Sequence, residues 1–213
     1  MINKSSLIFV TGHKGLVGSS LLRRLKFYGY KNIITRTKKE LDLRNQTKVS
    51  NFFKKNKIDS VINAAGKVGG ILDNKNFQSD YIFVNSMIGL NITNCSMKYN
   101  VKKLINLGSA CIYPKKTEQP IKESALLSSY LEETNEGYAL AKIISLKYSQ
   151  HLKKKYKKEF ISLMPANLYG RGDNFDLQSS HVLPALVKKF TLAKIKKIPY
   201  VEVWGSGKVK REF

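Results

Sequence analysis

A doubly wound, parallel α/β sheet with helices on both faces is the fold this sequence predicts, and two observations predict it. Short apolar runs with strand character alternate with segments of helical period from Leu7 onward. Strands that alternate with helices require crossovers, which are right-handed and give a parallel sheet. The second observation is a glycine-spaced turn, Gly12, Gly15 and Gly18, placed where the first strand would hand over to the first helix.

Leu7–Thr11 reads as the opening strand, and a helix follows over Leu16–Tyr28. Its apolar stripe is Val17, Leu21, Leu25 and Tyr28, with Gly29 as C-cap. Asn32–Thr35 reads as a short second strand, Gln46–Lys55 as a polar-faced helix and Ile58–Ala64 as a third strand. The longest helical signal steps along one face through Phe77, Tyr81, Val84, Ile88, Ile92, Cys95 and Tyr99. Cys95 on that stripe reads as a small buried thiol. Lys103–Leu107 is the next strand, Tyr138–Tyr156 the next helix, and Phe160–Met164 a strand stopped by Pro165. Beyond Gly170 the pattern loosens, with one more helix from His181 or Val182 to about Ala193. Residues 1–170 therefore read as one domain and 171–213 as the start of another.

With 213 residues, 42% of them hydrophobic and 10% aromatic, the chain is globular and can bury a full core. Its net charge of +23 first points to an anionic partner such as nucleic acid. The lysines, however, are spread along the chain and lack the Arg-rich or aromatic-interleaved clusters that read or stack bases. The densest run, Lys153 to Lys158, closes a helix, where cations complement the dipole. A solvated lysine surface with no nucleic-acid role is the expectation. Two cysteines, Cys95 and Cys111, make no disulfide framework, and the apolar stretch Leu7–Val10 is too short for a signal-peptide core. No segment approaches a membrane span, so a cytoplasmic protein is expected, and no metal site is read.

The turn Gly12-His13-Lys14-Gly15-Leu16-Val17-Gly18 follows a strand and opens a helix. Glycines there let the backbone approach a pyrophosphate, and the helix N-terminus presents free N–H groups to it. A dinucleotide is the ligand this predicts. An acid at the end of the second strand would favour the ribose diol of NAD. Here that end reads Thr35-Arg36-Thr37-Lys38-Lys39, and the Arg36 guanidinium suits a 2′-phosphate, with Lys14 as a second cation, so NADP(H) is favoured.

Tyr138 and Lys142 stand four apart, on one face of a helix. A tyrosine near pKa 10 exchanges protons poorly at neutrality, and a neighbouring ammonium and an oxidised nicotinamide are expected to lower it. Ser109, just beyond an upstream strand, can hydrogen-bond the same substrate oxygen. Glycine turn, strand-end serine and Tyr-x-x-x-Lys, in that order, make a reductase.

The chain resembles the extended short-chain dehydrogenase/reductases, a branch of the NAD-dependent epimerase/dehydratase family, and within them the GDP-L-fucose synthases. The resemblance rests on the glycine turn, Lys67-Val68-Gly69-Gly70-Ile71, Ser109-Ala110-Cys111-Ile112-Tyr113-Pro114 and Tyr138-Ala139-Leu140-Ala141-Lys142. It continues through Met164-Pro165-Ala166-Asn167-Leu168-Tyr169-Gly170, Asp173-Asn174-Phe175, Ser180-His181-Val182-Leu183-Pro184-Ala185-Leu186, Val203-Trp204-Gly205-Ser206-Gly207 and Arg211-Glu212-Phe213.

The resemblance implies epimerisation at C3 and C5 of GDP-4-keto-6-deoxy-D-mannose, then reduction of its C4 ketone with NADPH. It implies Cys111 and His181 as the epimerisation pair, with Ser109, Tyr138 and Lys142 as the reductase set. Leu107, Gly108, Ser109, Ala110, Lys142, Pro165, Ala166, Asn167, Leu168 and His181 join Gly12–Gly18 and Arg36 around the cofactor. Lys189, Trp204 and Arg211 are implied to hold the GDP-sugar. A homodimer paired through the Phe77–Tyr99 and Tyr138–Tyr156 helices is implied, and a substrate-binding part that continues past Phe213. Read without the surrounding block, His181 is a helix-start residue capped by Ser180. Two positions depart from the pattern: Ala110 replaces a hydroxyl residue, and Gly137 replaces a proline. Another NADP-dependent nucleotide-sugar epimerase or reductase, and a non-catalytic NADP-sensing protein, are the alternative readings.

Overall fold

The computed structural model of the protein describes residues 2–208, 210 and 213. Five strands form one parallel sheet in the order β2-β1-β3-β4-β5, where β1 is Ile8–Thr11, β2 Ile33–Ile34, β3 Ser60–Asn63, β4 Lys103–Leu107 and β5 Glu159–Leu163. The helices are α1 (Leu16–Phe27), α2 (Gln46–Lys55), α3 (Ile71–Asn76), α4 (Gln78–Lys98), α5 (Glu136–Tyr156) and α6 (Val182–Lys196). The doubly wound architecture is the one the alternation predicts. Register is fixed by β3, whose Val61 and Ile62 pair with Phe9 and Val10 on one side and with Leu104 and Ile105 on the other.

Alternating strand residues feed two cores. Phe9, Val61, Leu104 and Phe160 point to one face and pack with Val49 and Phe53 of α2 and Ile92 and Cys95 of α4. Each such side chain, once fully buried, contributes roughly 1.5–3 kcal/mol. Cys95 is indeed a buried thiol, and burial raises its pKa. Ile8, Val10 and Ile62 point to the other face, against Leu21, Leu22 and Leu25 of α1. Helices α4 and α5 lie along each other.

Several boundaries differ from expectation. β2 stops at Ile34 because the chain closes a turn directly after it, in which the Thr37 N–H and hydroxyl each donate to Glu40 Oε2 at 2.7 Å. β3 is shorter than its apolar run, since Ile58 N–H bonds back to Asn56 and only from Ser60 does ladder pairing begin. Tyr28 does not join the buried stripe of α1. It is 53% exposed as the C-cap, where the Arg24 guanidinium donates to its hydroxyl at 2.8 Å and lies 4.8 Å from its ring centre. Gly29, at φ +81°, follows that cap. The short helix α3 and the 3-10 turns at Ala110–Ile112, Glu123–Ala125 and Glu133–Asn135 have no apolar period long enough to announce them. Helix α6 continues past Ala193 to Lys196.

A polar network sits inside the sheet just below the carboxyl ends of the strands. Thr11 Oγ1 donates to Asn63 Oδ1 at 2.7 Å, Asn63 Nδ2 to Asn106 Oδ1 at 3.0 Å, and Asn106 Nδ2 to Ser149 Oγ of α5 at 2.9 Å. Every link is hydrogen-bonded, as burial requires. The network ties β1, β3, β4 and α5 together beneath the place where their loops emerge.

Candidate active site

In an open parallel sheet, ligands bind outside the carboxyl ends of the strands, where the strand order reverses. Here that point is β1, whose neighbours are β2 on one side and β3 on the other. The glycine turn leaves β1 at this crevice. Gly12 takes φ +65°, and a Cβ on it would stand 2.5 Å from the Ala64 carbonyl oxygen. A Cβ on Gly18 would collide with the Gly12 carbonyl, so α1 packs against its own turn only because both are glycine. α1 has no side-chain cap and no acid in its first turn. Its N–H groups and positive dipole end therefore face outward, as a phosphate requires. These residues fit a dinucleotide.

Arg36 emerges from the end of β2 and is exposed. Its Nη1 donates to the Thr35 carbonyl at 2.7 Å and its guanidinium lies 5.2 Å from the Phe52 ring centre. Arg36 and His13 both act electrostatically on Glu40, whose carboxyl is held low first by its bonds to Thr37. Arg36, His13 and Glu40 thus share one neighbourhood beside the glycine turn.

The loop after β4 carries Gly108, Ser109, Ala110 and Cys111. Ser109 begins the 3-10 turn, and its Oγ accepts from Cys111 N–H at 3.2 Å. Helix α5 brings Tyr138 and Lys142 to the same place. Ser109 lies close enough to the Tyr138 hydroxyl to lower its pKa, and a charge on Cys111 raises it. Lys142 Nζ lies 5.5 Å from the Tyr138 ring centre and donates to the Leu107 carbonyl at 2.8 Å. Ser109, Cys111, Tyr138 and Lys142 are one cluster.

Of the two groups expected to lower the Tyr138 pKa, the Lys142 ammonium has no resolved effect on it. Burial dominates instead and, with the Cys111 charge, pushes Tyr138 up to about 12 against the lowering effect of Ser109. Burial likewise brings Lys142 down to about 8. Both groups are thereby biased toward their neutral forms, and Tyr138 is built to hold its proton.

The Lys67–Gly70 loop forms one wall. Asn85 clamps it, accepting from Lys67 N–H at 2.9 Å and donating to the Lys67 carbonyl at 3.0 Å. Lys67 pairs with Asp80 at 3.1 Å, and Tyr81, hydrogen-bonded to Asp73, sets its ring edge-on to Tyr138 at 6.2 Å between centres. The Gly70 N–H donates to the Ser179 carbonyl at 2.8 Å, which hangs the segment leading to His181 on this loop. His181 is the exposed N-cap residue of α6. Its side chain accepts no cap bond, and Ser180 Oγ is buried without a partner, so the capping arrangement read from sequence does not form.

Pro165, Ala166, Asn167 and Leu168 follow β5 at the same sheet end. Lys189 and Trp204 do come together, the ammonium 5.6 Å from the indole centre and donating to the Glu202 carbonyl at 2.9 Å. Arg211 lies outside the described residues. Gly137 gains a reason: its N–H donates to Gln78 Oε1 at 2.8 Å, a bond proline cannot make. From sequence, Asn85 and Asn135 carry no role and Tyr81 is only a member of the α4 stripe.

The family model described as NAD dependent epimerase/dehydratase matches residues 8–213. The chain belongs to this family. GDP-L-fucose synthase 1 of Arabidopsis thaliana is 49% identical over 213 residues, covering 100% of this chain and 66% of its own. GDP-L-fucose synthase of Escherichia coli K12 is 45% identical over 206 residues, 97% of this chain and 64% of its own. The chain thus spans just under two thirds of the length of these relatives. Among solved structures, a GDP-L-fucose synthetase of Naegleria fowleri bound to NADP superposes with TM-score 0.88 at 32% identity, over 99% of this chain and 69% of that one. A GDP-D-glycero-L-gluco-heptose synthase of Campylobacter jejuni, in the presence of NADPH, gives TM-score 0.92 at 34% identity, over 100% and 71%. Among the described residues, no helix is long and apolar enough to cross a membrane.

Proposed function

We propose that the protein converts GDP-4-keto-6-deoxy-D-mannose to GDP-L-fucose, epimerising C3 and C5 and then reducing the C4 ketone with NADPH. The observation that carries this reading is Cys111 held within electrostatic reach of Tyr138 and beside Ser109, because a plain reductase has no use for a second proton-transfer group there. The names of the relatives support the same substrate.

The pyrophosphate of the cofactor fits the N-terminus of α1, with Arg36 and Lys14 toward the 2′-phosphate. Bound NADPH would supply the hydride for C4. The chain's own residues handle protons. The C–H bonds at C3 and C5 are acidified by the adjacent ketone, and on proton loss each electron pair moves onto the ketone oxygen. Cys111 and His181 are the proposed acid–base pair for these exchanges. Ser109 and Tyr138 hydrogen-bond the enolate oxygen, and Tyr138 finally gives it a proton. Lys142 holds the nicotinamide ribose. Lys189 and Trp204, already in contact, are proposed for the GDP-sugar with Arg211, and residues 171–213 as the start of the substrate-binding part. A homodimer through α4 and α5, a cytoplasmic location and a lysine surface without nucleic-acid function complete the reading.

A second reading, reduction of another GDP-sugar, is favoured by the fit to the heptose synthase and by Ala110 in place of a hydroxyl residue. Following NADPH absorbance with GDP-4-keto-6-deoxymannose and with a GDP-4-keto-heptose decides between them. Oxidation with neither substrate, in this chain or in one extended to its relatives' length, sinks both.

A further inference from the structure

Asn135 stands at the N-cap of α5, three residues before Tyr138. An asparagine at a helix N-cap ordinarily turns its side-chain oxygen onto the N–H of the second or third helical residue. Asn45 does so at α2, accepting from Lys48 N–H at 2.9 Å. Asn135 makes no such bond. Its Nδ2 instead donates to Cys111 Sγ at 3.4 Å, and its Oδ1 is buried with no hydrogen-bond partner. Capping is forgone and a buried oxygen left bare, a local cost of the kind found where function overrides stability.

We infer that Asn135 is a positioning residue for Cys111, its carboxamide complementing the sulfur in both protonation states. This rests on the proposed role of Cys111 as an acid–base group. When the sulfur is a thiolate it accepts from Nδ2, the contact seen here. When it has taken a proton, S–H becomes a donor, and a half-turn of the amide presents Oδ1 to receive it. No proton moves to or from Asn135, and the bond is exchanged rather than lost. The sulfur thereby keeps one direction while its charge changes. The other titratable groups around Cys111 are Tyr138 on α5 and Tyr113 in the same turn, both held toward their neutral forms by burial, so neither competes with the amide as a charge partner.

The test reads the thiol directly. Alkylation of Cys111 by iodoacetamide is followed against pH in the full chain, with Cys95, only 1% exposed, as the internal control. Asn135→Ala is expected to cut the Cys111 rate about tenfold at pH 7 and to move the midpoint of the profile upward. Asn135→Asp moves it further, because a carboxylate opposes the thiolate. Midpoints unchanged in both variants overturn the inference, as does a rise in Cys95 reactivity with no shift at Cys111, which marks a purely structural role. Deuterium wash-in at the sugar ring carbons, measured beside it, separates the two claims. A wild-type chain that washes in no deuterium counts against the catalytic reading, while the alkylation profile still decides the Asn135–Cys111 pairing.

Discussion

Lys142 reaches past Tyr138 to donate to the Leu107 carbonyl at 2.8 Å, with its ammonium 5.5 Å from the tyrosine ring centre. The lysine is anchored to the end of β4, so the strand, rather than the phenol, sets its position. That anchor also holds a burdened ammonium, since burial brings its pKa down to about 8.

Stability should therefore change with pH in a defined window. An unfolded lysine titrates near 10.4, so between about pH 8 and 10 the unfolded chain binds the proton that folded Lys142 has lost, and stability rises with pH. The gain is roughly 2 kcal/mol once partial exposure of the side chain is allowed for. Urea titrations at pH 7.5 and 10 measure it, and Lys142→Met should abolish the difference attributable to this site. Tyr138 acts oppositely at higher pH: its raised pKa withdraws stability as pH climbs from about 10 to 12.

Removing the Tyr138 hydroxyl should leave the fold intact and the chemistry broken. Tyr138→Phe is expected to lower NADPH-dependent reduction by about 10²–10⁴-fold, the usual contribution of a positioned general acid, with NADPH affinity within a few-fold of wild type. Stopped-flow absorbance and fluorescence titration give the two numbers. Turnover near the wild-type rate rules out the assigned role.

The glycine turn predicts a binding defect without a fold defect in the sheet. Gly12→Ala places a Cβ 2.5 Å from the Ala64 carbonyl in a left-handed backbone, so the turn must shift. NADPH affinity should fall at least tenfold by fluorescence titration, whereas Arg36→Ala should weaken NADPH while sparing NADH.

Asn106 makes three buried hydrogen bonds, to Asn63 within the sheet and to Thr93 and Ser149 on the helices packed against it. Asn106→Ala strands its partners in a buried site and should cost about 2–4 kcal/mol in urea unfolding. A change under 0.5 kcal/mol means the network is dispensable.

Long periodic segments and glycine spacing made the fold legible. Tyr81, Ile88, Ile92 and Cys95 of the α4 stripe are buried as its period requires, while Val84 is half-buried and Phe77 at its head is exposed; the turn at Gly12 sits at the reversal of strand order. Pattern fails where the structure is decided by contacts distant in sequence. Tyr28 keeps the period of α1 but is its exposed C-cap, with the Arg24 guanidinium over its ring. The spacing of Tyr138 and Lys142 reveals a neighbouring lysine but not the depth at which both are buried, and it is burial that raises the Tyr138 pKa. Asn135 carries no mark in the sequence, since only folding brings Cys111 within reach of its amide.

The strand order leaves β5 with β4 as its one neighbour among the described residues, so its other margin is an open row of backbone donors and acceptors. Such a margin invites a second strand from any source. The chain enters it through Lys157, Lys158 and Glu159, and Lys153 and Lys154 of α5 line the adjoining hollow. This cationic fence repels a like-charged copy at low ionic strength and weakens as salt shortens the reach of its field to about 10 Å at 0.1 M.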